Sequence, residues 1–474
     1  MKPTINAAQI IDDSRLGPYQ LLVIALCGLC LVMDGFDVQA MGYVAPVVIH
    51  EWGIAKETLS PVFGAGLFGM LIGSLVFSAL ADKIGRRPVL IFATLCFAMC
   101  MMATGTSHSI TELIGFRFAA GLGLGCIMPN AMALAGEYSP RRLRVTLMMI
   151  VSCGFTLGGV VGGLITAWLI PHFGWRSVFY VGGALPFILG IVMWVGLPES
   201  IQFLVAREGR DDRVRRNLKR VIPGLALPDN AVFRLVETPA GVTDGTSDQP
   251  IPALTVAKTA GLPFIDLFRD GRATVTALLW IVNFANLLDM YFLSNWLPTV
   301  MHEAGFSVST SVLAGTMLWT GGVIGTLLLG RIIDRLGFAN VLAGTFVIAI
   351  CAVAAVGNSV VIATGGAVFA AIFFAGLSIM GGQPALNALA ATYYPTSLRS
   401  TGIGWSLGMG RVGSVIGPVL GGSLMHLQWS TSSLFLAAAV PACVSLAGVI
   451  GIGFATRRAG RGIDARGERH ITAH

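Results

Sequence analysis

The sequence predicts an all-α membrane protein of twelve transmembrane helices, arranged as two pseudo-symmetric six-helix bundles. Three observations predict it. The composition is too apolar for a water-soluble chain, apolar runs of spanning length alternate with loops of contrasting charge, and the second half repeats the first.

Of 474 residues, 55% are hydrophobic and only 12% charged, whereas a soluble domain carries about 25% charged residues. Sixty glycines fit helices that approach closely in lipid. The eight cysteines sit inside apolar runs and read as small core residues. None forms a His-flanked CxxC pair, so no metal site is expected. The net charge of +7 reads as basic cytoplasmic loops rather than as a nucleic-acid surface. The first apolar run is too long for a cleavable signal and contains two aspartates.

Runs of about 20 apolar residues mark spans. In the first half they lie near 19–46, 59–81, 88–107, 110–136, 144–170 and 176–197. In the second half they lie near 273–300, 310–333, 338–357, 361–391, 401–426 and 431–455. One set of loops carries Lys83, Arg86, Arg87, Arg141, Arg142, Arg144, Arg331, Arg335 and Arg399, whereas the other carries little beyond Lys56 and Arg176. The positive-inside rule then places both termini in the cytoplasm. The expected organisation is an N-terminal bundle over 1–198, a cytoplasmic linker over 199–272, a C-terminal bundle over 273–456 and a tail over 457–474. Within the linker, Arg207 to Arg220 reads as a basic amphipathic helix lying on anionic headgroups.

One constant shift aligns Asp37 with Asp289, Pro46 with Pro298, Gly53 with Gly305, Asp82 with Asp334 and Gly85 with Gly337. A shift three residues longer aligns Gly121 with Gly376, Pro129 with Pro384, Tyr138 with Tyr393, Gly158 with Gly413 and Gly162 with Gly417. Repeated halves that rock about a site between them are a transporter device. No nucleophile with a base, no phosphate-cradling loop and no metal-ligand spacing is present, so an enzyme is not expected.

The loop after the second span reads Gly73 … Ala81-Asp82-Lys83-Ile84-Gly85-Arg86-Arg87, and its counterpart runs from Gly325 to Asp334-Arg335-Leu336-Gly337. Both resemble the loop signature of the major facilitator superfamily, the second without the trailing basic residues. Span four, from Arg117-Phe118-Ala119-Ala120-Gly121, is similar to that superfamily's span-four arginine motif. Span one reads Met33-Asp34-Gly35-Phe36-Asp37, followed by Gly42 and Ala45-Pro46. With Arg411, it resembles the aromatic acid:proton symporter family. That resemblance implies the major facilitator fold and a hydroxybenzoate-like substrate moved with protons.

A charge at mid-bilayer is costly and marks function by default. The deep acids are Asp34, Asp37 and Asp289, and the deep bases are Arg117 and Arg411. Helical rise puts Asp37 and Arg117 at similar depths, about 14 Å and about 10 Å from the outer end, so they are expected to pair. Sugar porters of the superfamily likewise pair an acid at the place of Asp37 with the span-four arginine. Asp34 lies three residues from Asp37 and shares its face. A carboxylate between a second acid and an arginine, with alternating access to water, is a proton-coupling element. Asp34, Asp37, Arg117 and Asp289 are the candidates for that role. Asp289 either couples protons or neutralises Arg411.

No acid shares a helix with Arg411, and a guanidinium matches a carboxylate through two hydrogen bonds. Arg411 is therefore the candidate anion site, with Asp34, Asp37 and Arg117 gathered about one wet chamber. Gln39, Tyr43, Asn286, Tyr291, Trp296, Gln383 and Asn387 are expected to line it, stacking on a ring and bonding its hydroxyls. Asp82, Arg86, Arg87, Glu137, Arg141, Asp334 and Arg335 are expected to form inner-face charge latches.

The expected whole is a monomeric, proton-driven importer of an aromatic carboxylate in a bacterial inner membrane. It needs no cofactor and binds no nucleic acid. The alternatives are a proton symporter for another acid or a sugar, and a proton-coupled exporter.

Overall fold

The computed structural model describes residues 4–207, 211–225, 228, 231–234, 263–269, 271–358, 364–395 and 398–458. Its first half contains α1 (Pro18–Trp52), α2 (Ser60–Ile84), α3 (Arg86–Gly105), α4 (Ile110–Tyr138), α5 (Arg144–Phe173) and α6 (Arg176–Gly196). Its second contains α7 (Ala273–Glu303), α8 (Val308–Leu336), α9 (Phe338–Val356), α10 (Gly366–Tyr393), α11 (Arg399–His426) and α12 (Thr431–Arg458). Eleven of these are long and apolar enough to cross a membrane. The exception is α11, whose glycines, serines and Arg411 lower its hydropathy. The start expected for α10 at 361 falls partly outside the described residues.

Local chemistry sets the helix ends. Pro18 occupies the first turn of α1, where its missing N–H costs nothing. Ser307 caps α8 by accepting from the Thr310 N–H at 3.2 Å. Gly53 and Gly305 follow α1 and α7 with φ of +59° and +96°, a left-handed geometry that favours glycine. They are the pair that the sequence shift aligned. The turn at Gly125 and Cys126 divides α4 into Ile110–Leu124 and Ile127–Tyr138.

The internal repeat is present in the packing. In the first half α1 lies against α5, α2 against α4, and α3 against α6; in the second, α7 lies against α11, α8 against α10, and α9 against α12. A Cβ on Gly158 would strike the Val32 carbonyl, and one on Gly413 the Phe284 carbonyl. Both glycines and both carbonyls are repeat equivalents, so the same backbone-to-backbone seam is built twice. The halves meet through α5 with α8, α2 with α11, and α1 with α7, and at α1–α7 a Cβ on Gly42 would strike the Ser294 carbonyl. At α5–α8, Gly159 and Gly163 face side chains, Trp319 and Thr316.

Beside the first half, Thr4–Asn6 pairs in parallel with Val232–Arg234, and a short helix follows at Ala7–Asp12. The expected linker helix is present at Asp211–Val221; residues 208–210 lie outside the described set. Its apolar residues Val214, Leu218 and Val221 are buried within the protein, against Ala7–Asp12, Ile201–Val205 and α1. That face therefore packs on the chain itself instead of resting on headgroups.

Candidate functional site

Between the halves lies a cavity of about 230 Å³. Asp34 of α1, Tyr291 of α7, Gln383 and Asn387 of α10, and Arg411 of α11 all line it. Asp34 is 1% exposed, and its Oδ1 has no hydrogen-bond partner among the described residues. The Arg411 guanidinium is in no ion pair among the described residues. One acid and one base, from opposite halves, thus face a common space. Amides furnish a polar edge: Gln383 Nε2 donates to Asn283 Oδ1 at 2.9 Å and to Asn387 Oδ1 at 3.2 Å. Asn286 Nδ2 donates to Gln383 Oε1 at 2.8 Å, which fixes that side chain from behind.

Asp37 and Arg117 pair as their depths suggested. Arg117 Nη1 donates to Asp37 Oδ1 at 2.5 Å and Nη2 to Oδ2 at 2.9 Å. This two-pronged geometry is the strong form of the interaction, and both residues are buried. The pair lines a separate void of about 20 Å³, closed from the second half by Asn295. Leu67 and Met70 line both spaces and form the wall between them. Asp34 and Arg411 on one side, and Asp37 and Arg117 on the other, therefore occupy two adjoining spaces instead of a single chamber.

Other expected lining residues are placed elsewhere. Gln39 Nε2 donates across the halves to the Ser294 carbonyl at 2.5 Å. The Tyr43 hydroxyl donates to the Gly159 carbonyl at 2.9 Å, and Trp296 Nε1 donates to the Pro418 carbonyl at 2.8 Å. Asn286 supports Gln383 without lining the cavity. Asp289 does not line it either; it is 1% exposed, and both carboxylate oxygens are buried without hydrogen-bond partners among the described residues. It forms no ion pair with Arg411.

Of the inner-loop charges, Arg86 pairs with Glu137 within the first half, and Glu137 also accepts from the Ser200 hydroxyl at 2.6 Å. Arg87 Nη2 donates to the Trp194 carbonyl at 2.5 Å. Among the described residues Arg141 gives only its backbone N–H, to the Asp12 carbonyl at 3.2 Å. Asp82, Asp334 and Arg335 are exposed and in no ion pair among the described residues.

Sequence reasoning missed Glu199. Its Oε1 accepts from the Arg86 and Arg87 N–H groups at 2.9 and 3.1 Å, satisfying the free donors at the start of α3. The signal was an acid between Pro198 and Ser200, just past an apolar run. It also missed the contacts that join the halves at the end carrying Gly53 and Gly305. There Lys56 pairs with Glu303 at 2.7 Å, and His426 contacts Glu57 at 3.2 Å.

The model of the Major Facilitator Superfamily matches residues 27–405 and 279–471. The chain belongs to the major facilitator superfamily. Within it, similarity runs to aromatic acid transporters. The 4-hydroxybenzoate transporter PcaK of Pseudomonas aeruginosa is 36% identical, over 94% of this chain and 95% of that protein. The gallate transporter of Pseudomonas putida is 33% identical over 97% and 98%. The benzoate transport protein of Acinetobacter baylyi is 34% identical over 94% and 92%. Among solved structures, the nucleoside transporter NupG has a TM-score of 0.67 at 12% identity, covering 92% of this chain and 99% of that one. A bacterial homologue of the human lysosomal transporter Spinster has a TM-score of 0.64 at 16% identity, covering 96% and 100%. These two share the superfamily fold.

Proposed function

We propose that the protein imports a hydroxybenzoate-like carboxylate across a bacterial inner membrane together with protons, by alternating access. The observation that carries this reading is the unpaired Arg411 guanidinium facing Asp34 across a cavity built from both halves. An organic anion gains nothing from a membrane potential that is negative inside, so co-moving protons supply the drive.

In this mechanism Arg411 takes the substrate carboxylate through two parallel hydrogen bonds. Gln383, Asn387 and Tyr291 receive ring hydroxyls. Asp34 carries the proton, because one of its oxygens is free and it faces the same space as the anion. The bidentate Asp37–Arg117 pair, next door, responds to Asp34 through the shared face of α1. All twelve helices span the bilayer, α11 included, since its one deep charge faces the cavity. Both termini are cytoplasmic. A single chain encloses the whole site, so a monomer suffices, and the proton gradient takes the place of any cofactor. The names of the relatives, for 4-hydroxybenzoate, gallate and benzoate, support the substrate class.

Proteoliposomes loaded at neutral pH and diluted into acidic buffer test this. Labelled 4-hydroxybenzoate should accumulate, and a protonophore should abolish accumulation. Absence of uptake across a panel of aromatic acids overturns the substrate class. Outward movement driven by the same gradient would make the protein an exporter.

A further inference from the structure

The cavity wall contains a residue type that the transport reading leaves unused. Five methionines line it: Met70 of α2, Met128 of α4, Met149 of α5, Met290 of α7 and Met380 of α10. They come from five helices and both halves. Met70, Met290 and Met380 are buried, at 7%, 6% and 2% exposure, so contact with lipid does not account for them. Leucine would fill the same volume with better-defined rotamers. The choice of a thioether at five points around one space calls for a ligand that a sulfur recognises.

Resting on the reading of this cavity as an aromatic acid site, we propose that these methionines form a polarisable clamp on the ring itself. The clamp selects a flat aromatic ring over a saturated ring of the same size, and it yields to substituents on the ring edge. The chemistry is general. A thioether sulfur is attracted to an aromatic ring, about 5 Å away and often at its edge, and three rotatable bonds let the side chain refit. A saturated ring offers no such partner. The division of labour follows: Arg411 reads the carboxylate, and the methionines read the ring. The volume agrees. An apolar cavity of about 150 Å³ holds benzene, so about 230 Å³ takes one ring with its carboxylate and a small substituent.

The test titrates purified protein with benzoate, 4-hydroxybenzoate and cyclohexanecarboxylate, using wild type, Met290→Leu/Met380→Leu and Arg411→Ala. Wild type should bind benzoate about tenfold or more tighter than cyclohexanecarboxylate, as two or more sulfur contacts would give. It should hold benzoate and 4-hydroxybenzoate within about tenfold of each other. The double variant keeps the volume and loses two sulfurs, so its benzoate-to-cyclohexanecarboxylate ratio should fall about fivefold or more. Arg411→Ala should weaken both acids by the same factor and leave the ratio intact. A wild type that treats the two rings alike overturns the clamp, as does a double variant with an unchanged ratio. Should the double variant fail to fold, the wild-type ratio decides alone. If wild type binds none of these acids, the aromatic acid reading itself falls, an outcome distinct from binding without ring preference.

Discussion

Asp37 and Asp289 stand at equivalent places in the two halves, on α1 and α7, and both are buried. Their surroundings differ completely. Both oxygens of Asp37 are held by Arg117, whereas both oxygens of Asp289 lack partners among the described residues. The shift that aligns Gly121 with Gly376 brings Arg117 onto Ile372, so the second half keeps the acid and has lost its base. The packing glycines were retained in both halves, as Gly158 and Gly413 show. The two halves share the glycines that close helix approach demands and differ at the charges. Asp37 is a satisfied member of an ion pair; Asp289 is a buried acid with no partner among the described residues to offset its desolvation.

The sharpest way to break this comparison is to remove Arg117. Arg117→Ala leaves Asp37 buried and unpaired, which should cost about 3–5 kcal/mol. Thermal unfolding in detergent reads it, and a loss below about 1 kcal/mol would mean the pair is not what holds Asp37. Next comes the cavity, where each half supplies one charge. Arg411→Ala should weaken binding of 4-hydroxybenzoate by about 2–4 kcal/mol, the worth of a charged bidentate contact. Calorimetric titration measures it, and unchanged affinity removes Arg411 from the site.

Asp34→Asn and Asp289→Asn then separate the acids by role. Asp34→Asn should abolish accumulation driven by an acid-outside gradient while substrate exchange at equal pH persists. Asp289→Asn should leave the affinity for 4-hydroxybenzoate unaltered and raise stability by about 1 kcal/mol, since it removes an unsatisfied carboxylate. If Asp289→Asn destabilises as Arg117→Ala does, the two halves are less different than their hydrogen bonds indicate. The smallest effect belongs to Lys56→Gln at the junction of the halves, an exposed pair worth about 0–1 kcal/mol. That loss should shrink further as salt is raised.

Much of this arrangement was legible in the residues. Apolar runs gave the helices, because length against bilayer thickness is a strong constraint. Fixed shifts gave the repeat, and depth along the helices gave the Asp37–Arg117 pair. The occupants of the cavity were less legible. Gln39, Tyr43 and Trp296 look like ligand contacts in a sequence, yet each donates its N–H or O–H to a neighbouring backbone carbonyl. A helix buried on several sides gives no solvent-facing stripe to tell the cavity face from a packing face. The methionines were invisible for the same reason, being apolar among apolar residues. Glu199 sat beyond the last span of its half, where an acid ordinarily signifies only solubility.

The contrast between the two kinds of seam bears on how the molecule can move. Where Gly158 meets the Val32 carbonyl and Gly413 the Phe284 carbonyl, main chains lie in direct contact, with no side chain between them to readjust. Where Gly159 and Gly163 meet Trp319 and Thr316, a change of rotamer is enough to reshape the fit. In the proposed alternating-access cycle the adjustable contact is α5–α8, so a crosslink meant to arrest that cycle belongs there, and one placed along α1–α5 would join helices whose main chains already touch.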